Sequence, residues 1–135
     1  RPVGTECLFS ASPSTVLWLP PGRIVTVCRE EIVLWSIGTG RTLEKLARRA
    51  ADLSLYADFV DAVCSPSSGL LYVACGSGKM LVLDSALQLV ATVDVPGAPP
   101  VSIGICGGQT VIGDAAGSLH VFNSESLGTE SFNPV

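Results

Sequence analysis

The chain has 135 residues, of which 47% are hydrophobic and 15% charged, and it carries a net charge of −4. That composition excludes a disordered chain, and the length suits one domain with one modest core. The acidic balance argues against a nucleic-acid partner, and the longest apolar run, Leu70 to Cys75, is far too short for the roughly 20 residues of a membrane-spanning helix.

Taken in chain order, the sequence reads as short strands between turns. It starts at Arg1 with neither an initiator Met nor an apolar leader, as a piece of a longer polypeptide would. After a brief apolar run, Glu6–Ser10, come Thr15–Leu19, a Pro20-Pro21-Gly22 turn, Arg23–Cys28, a polar turn and Ile32–Ser36. Gly38-Thr39-Gly40 then leads into Arg41–Leu46, expected as a further strand. Leu43, Leu46, Ala47 and Ala50 also fall at helical spacing, so a short helix over Thr42–Asp52 is the alternative for this stretch.

The same succession returns twice. Val60–Cys64, a Ser65–Gly69 turn, Leu71–Cys75, Gly76-Ser77-Gly78, Lys79–Asp84 and Gln88–Val93 make the second set. Val101–Cys106, Gly107-Gly108, Thr110–Gly113, Ala115-Ala116-Gly117, Leu119–Asn123 and Thr129–Phe132 make the third. Val, Ile, Tyr and Phe dominate runs of four to six residues, which is strand chemistry. The Gly-bearing turns suit hairpins.

Trp35, Leu83 and Phe122 hold equivalent places, 48 and 39 residues apart, and the three central hairpins align without gaps. Four strands at that period are one propeller blade. The expected fold is therefore all-β: three four-stranded antiparallel blades of a β-propeller, with the ring incomplete within this chain. As a partial propeller over 1–135, it divides into blade one at about 14–50, blade two at about 58–95 and blade three at about 100–135, with 5–10 as the outer strand of a preceding blade. Propellers close with about four to eight blades. The open ends are apolar and call for partners: remaining blades in the parent chain, blades of another chain, or a second copy in a homodimer.

The endings Ile32-Val33-Leu34-Trp35-Ser36 and Leu119-His120-Val121-Phe122-Asn123 resemble those of WD40-type β-propeller repeats, with Leu83-Asp84 a more distant version. Leu71 through Val93 to Pro96-Gly97-Ala98-Pro99 also resembles a YVTN-type propeller repeat. The chain departs from the WD40 pattern in lacking a Gly-His dipeptide before any blade, so the family's Asp-His-Ser/Thr-Trp network is not expected. The resemblance implies a protein–protein interaction scaffold within a larger protein or complex.

The search for chemistry agrees with that implication. His120 is the only histidine and reads as a surface or blade-packing residue. Asp52, Asp58 and Asp61 lack the spacing of a calcium loop and read as solvated carboxylates, and Asp114 reads as a turn cap. Neither a GxSxG motif nor a phosphate loop is present. No catalytic, metal or cofactor site is expected. The five cysteines, odd in number and without a CxxC, read as reduced thiols in an intracellular, cytoplasmic setting.

Partner contacts are expected at the basic residues Arg41, Lys45, Arg48 and Arg49, and at the turn residues Pro20, Pro21, Ser65, Pro66, Ser67 and Ser68. Two other readings compete with the scaffold. One is a lactonase-like or YVTN-type propeller enzyme whose site lies on further blades, to which only Asp61 and Ser102 of the innermost strands would contribute. The other is a structural piece that completes another chain's ring.

Overall fold

A computed structural model of the chain describes residues 13–38, 42–51, 58–66, 68–123 and 133–134. Among the described residues every regular element is a β-strand. Blade one comprises β1 (Thr15–Leu19), β2 (Arg23–Val27), β3 (Glu31–Ile37) and β4 (Leu43–Ala50). Blade two comprises β5 (Phe59–Cys64), β6 (Leu71–Cys75), β7 (Lys79–Leu83) and β8 (Leu89–Asp94). Blade three comprises β9 (Pro100–Cys106), β10 (Gln109–Asp114), β11 (Leu119–Asn123) and β12 (Asn133–Pro134). Each blade is a separate four-stranded sheet in which sequence neighbours pair antiparallel.

The expected blades are thus present, with corrections in detail. The helical alternative over Thr42–Asp52 fails where the structure describes it, because β4 runs to Ala50 and pairs with β3 along its length. The misleading spacing has a physical source. A bulge between Leu34 and Trp35 pairs them with Ala47 and Lys45, leaving Leu46 as the extra residue, 49% exposed. That inserted leucine is what made the pattern look helical.

The ungapped alignment of the central hairpins also needs correcting. Cys28 pairs with Glu31 across two residues, whereas Cys75 pairs with Lys79, and Asp114 with Ser118, across three. The longer turns of blades two and three end in Gly78 and Gly117, both at positive φ, where a side chain would be strained. Blade one has no such glycine and closes one residue sooner. The Glu6–Ser10 and Thr129–Phe132 expectations lie outside the described residues.

The blades stack face to face. Val25, Val27, Ile32 and Leu34 of blade one share a core with Leu71, Val73, Cys75, Leu81 and Leu83 of blade two. The alternate residues Tyr72, Ala74, Met80 and Val82 leave the opposite face of blade two and meet Ile103, Ile112 and Phe122 of blade three. Because strand side chains alternate between faces, β6 and β7 serve two cores at once, which is why β6, and β7 from Met80 onward, are apolar. The sheets come closest at their first strands, β1, β5 and β9. These therefore form the inner edge of the array, and β4 and β8 its outer edge.

Candidate interaction surfaces and the polar links between blades

At the inner edge, register puts Thr15, Asp61 and Ser102 at equivalent places, opposite Val27, Ala74 and Gly113 of the second strands. Each side chain shares the face turned toward the following blade. The Thr15 hydroxyl donates to Asp61 Oδ1 at 2.8 Å, and the Ile103 amide donates to Asp61 Oδ2 at 3.0 Å. One carboxylate of the middle blade thus holds both neighbours by their first strands. Bulges beside Asp61 and Ser102 set this level of the sheets. The expectation that Asp61 is a solvated loop carboxylate is corrected: it lies on β5 and is engaged on both oxygens.

The lower edge of blade three carries a second polar cluster. Asp114 caps its own turn, with Oδ1 accepting from the amides of Ala116 and Ser118 at 3.0 and 2.9 Å. Its Oδ2 lies 2.8 Å from His120 Nε2, and both side chains are buried. The His120 ring, joined by the Ser118 and Ala116 amides, holds the Asp114 carboxyl below the usual carboxylate range against the upward push of burial. Gly97, in the connector between blades two and three, lies on this pair at φ +92°. A Cβ there would stand 3.2 Å from Asp114 Oδ2. His120 is thus a blade-packing residue, as the sequence suggested.

Blade one carries a different fragment of the expected-absent network. The Trp35 indole Nε1 donates to the Thr26 hydroxyl at 2.9 Å, and both residues are buried. Carboxylate–histidine and hydroxyl–indole pairs therefore both exist, but in separate blades, and the histidine comes from the third strand. The cysteines differ in burial: Cys28 and Cys75 are buried, Cys64 is half-buried and Cys106 is exposed. Cys28, Cys64, Cys75 and Cys106 are free thiols, and burial pushes Cys75 up to about 12. No group of three or more His, Cys, Asp or Glu side chains suited to a metal occurs among the described residues.

The residues expected to bind partners fall in two places. Pro20, Pro21, Pro66 and Ser68 are exposed at the turns joining first to second strands, which lie on one rim of the array. Ser65 is buried, and its hydroxyl accepts from the Ser68 amide, so it shapes that turn. Lys45, Arg48 and Arg49 lie along β4. Lys45 sits 5.5 Å from the centroid of the Trp35 ring, Arg48 pairs with Glu31, and Arg49 Nε donates to the Leu87 carbonyl of blade two at 2.7 Å. Arg41 and Ser67 lie outside the described residues. Sequence reading missed the Thr15–Asp61–Ile103 link. The available signal was a polar residue recurring at the start of each first strand.

Three stacked antiparallel blades, tied at their first strands, define the chain as a segment with the β-propeller fold. Consistent with that class, it is similar to a solved structure of RRP9 WD40 repeats, with a TM-score of 0.75 and 16% sequence identity, over 96% of this chain. The chain spans 40% of the length of that structure. No protein-family model matches the sequence, and no curated protein matches it.

Proposed function

We propose that this propeller segment is a non-catalytic scaffold for protein partners within a larger protein or complex. The observation that carries the reading is how the polar groups are used. Asp61, Asp114, His120, Thr26 and Trp35 are all committed to contacts within and between blades. What the array presents outward is a rim of turns and an outer strand with exposed Lys45 and Arg48. Rigid stacks with variable edges are well suited to holding other proteins. The rival enzyme reading relied on Asp61 and Ser102 at the inner edge, and Asp61 is already engaged by Thr15 and Ile103.

Lys45 and Arg48 face outward on an edge strand, where they also discourage indiscriminate strand pairing. A partner with an acidic face suits them. The test is quantitative affinity purification from cells, comparing the wild-type protein with a Lys45→Glu/Arg48→Glu variant of unchanged unfolding midpoint. The reading expects a defined set of partners to fall away in the variant. Identical partner sets, together with stoichiometric bound metal or substrate turnover by the purified protein, would overturn it.

A further inference from the structure

We propose that β8, the outer strand of blade two, is a docking edge for an extended segment of a protein partner, which pairs with it as a fifth strand. The proposal rests on the scaffold reading but places the contact on blade two, away from the cations of β4.

β4 and β8 hold equivalent places as the last strands of their sheets. Each therefore has backbone N–H and C=O groups along one side that no neighbouring strand takes up. Charge separates them. In β4, Glu44, Lys45, Arg48 and Arg49 make up four of eight residues, the kind of guard that keeps an edge from recruiting other chains. From Ser85 to Val93 blade two carries no charged residue and no proline, and the one charge on β8 is Asp94 at its end. Leu89, Val90 and Thr92 are exposed along it.

This edge is held in shape before anything binds. Asp84 Oδ1 accepts from the amides of Ala86 and Gln88 at 2.8 and 2.9 Å, and the Leu87 carbonyl accepts from Arg49 Nε. With its side chain buried in the core between blades one and two, Leu87 is kept at φ +63°, a costly conformation for a residue with a Cβ. At the far end the Val95 amide donates to the Gly78 carbonyl, and Val95 is buried. A strand pinned at both ends loses little freedom when a segment pairs with it.

Register fixes how much of the edge is usable. The bulge between β7 and β8 pairs Val82 with Ala91 and Leu83 with Leu89, leaving Val90 as the extra residue, 56% exposed. Ala91 to Asp94 continue in regular register with β7, so they form the ladder on offer, and Val90 stands beside it as an apolar anchor. The Asp94 side chain remains 85% exposed beside Lys79 and marks the end of that ladder. The matching occupant is an uncharged, β-prone segment closed by a lysine or arginine that reaches Asp94. Backbone groups supply the pairing, and the cation fixes its direction.

The test uses the full chain and a synthetic peptide of alternating Val and Thr that ends in Lys. Binding is followed by fluorescence anisotropy, and the paired strand by amide hydrogen exchange. The control is the same peptide N-methylated along its centre, which keeps the side chains but removes the backbone donors. The chain is expected to bind the peptide at least about tenfold more tightly than the control, with protection gained by β8 amides and not by those of β4. Val90→Lys/Thr92→Lys gives β8 the guard that β4 carries, and is expected to weaken binding at least about tenfold at an unchanged unfolding midpoint. Asp94→Asn is expected to reduce the preference for a Lys-ended over a Glu-ended peptide. Equal binding of peptide and control overturns the proposal, as does binding that Val90→Lys/Thr92→Lys leaves intact. So does β8 protection that rises with protein concentration in the absence of peptide, which makes a second copy the occupant. Cellular partners lost in Lys45→Glu/Arg48→Glu, with no peptide bound at β8, overturn this proposal and leave the scaffold reading standing.

Discussion

Trp35 and Thr26 illustrate how a buried polar pair is held in an otherwise apolar blade. Their hydrogen bond at 2.9 Å satisfies two groups that water does not reach. Trp35→Phe strands the Thr26 hydroxyl and is expected to cost about 1–3 kcal/mol in urea unfolding. Adding Thr26→Val removes the stranded group as well, and the double variant is expected to recover part of that loss. Asp114 responds to pH in a defined direction. Its folded pKa lies below its unfolded value, so the ionised carboxylate stabilises the fold above the ordinary aspartate value of 3.8, and this contribution is lost as pH falls through the depressed folded value. Unfolding midpoints followed down the acid limb are expected to fall more steeply for the wild-type chain than for Asp114→Asn. Parallel curves would mean that the His120 contact does not bias the carboxylate.

At the level of single strands, β4 separates two readings of one sequence. In a helix Leu46 and Ala47 share the apolar stripe, whereas in the strand Leu46 bulges into solvent and Ala47 packs against the core. Leu46→Glu is therefore expected to change stability by no more than about 0.5 kcal/mol, and Ala47→Glu to cost more than about 2 kcal/mol, by chemical denaturation. The first strands offer a sharper probe. Asp61→Ala frees the Ile103 amide, and its hydrogen-exchange protection is expected to fall about tenfold, in line with about 1.4 kcal/mol for a bond to a charged acceptor. Most strands were legible because alternating and continuous apolar runs are direct consequences of burial on one or two faces, as β6 and β7 show. What escaped was set by single-residue insertions: the bulge at Leu46, the shorter turn at Arg29–Glu30, and the bulges that aim Asp61 and Ser102 across the inner edge. A bulge leaves little trace in hydrophobic period, so although a strand was expected from Arg41 to Leu46, neither its extension to Ala50 nor the role of Asp61 follows from composition alone. His120 and Asp114 were each readable singly as a packing residue and a turn cap, but their pairing required the hairpin's three-residue turn.

For the molecule as a whole, the account depends on three sheets burying their flat faces against one another, with blade two sharing a core on each side. Chain connectivity alone would also permit the sheets to join edge to edge, and the strand content would not change. Methyl NOE spectroscopy on the full chain distinguishes the two arrangements directly. Stacked blades give cross-peaks between the Val27/Leu34 methyls and those of Leu81/Leu83, and between Met80/Val82 and Ile112, with none linking the first set to the last. Backbone cross-peaks between β4 and β5 or between β8 and β9, in place of those methyl contacts, would contradict the stacked-blade architecture.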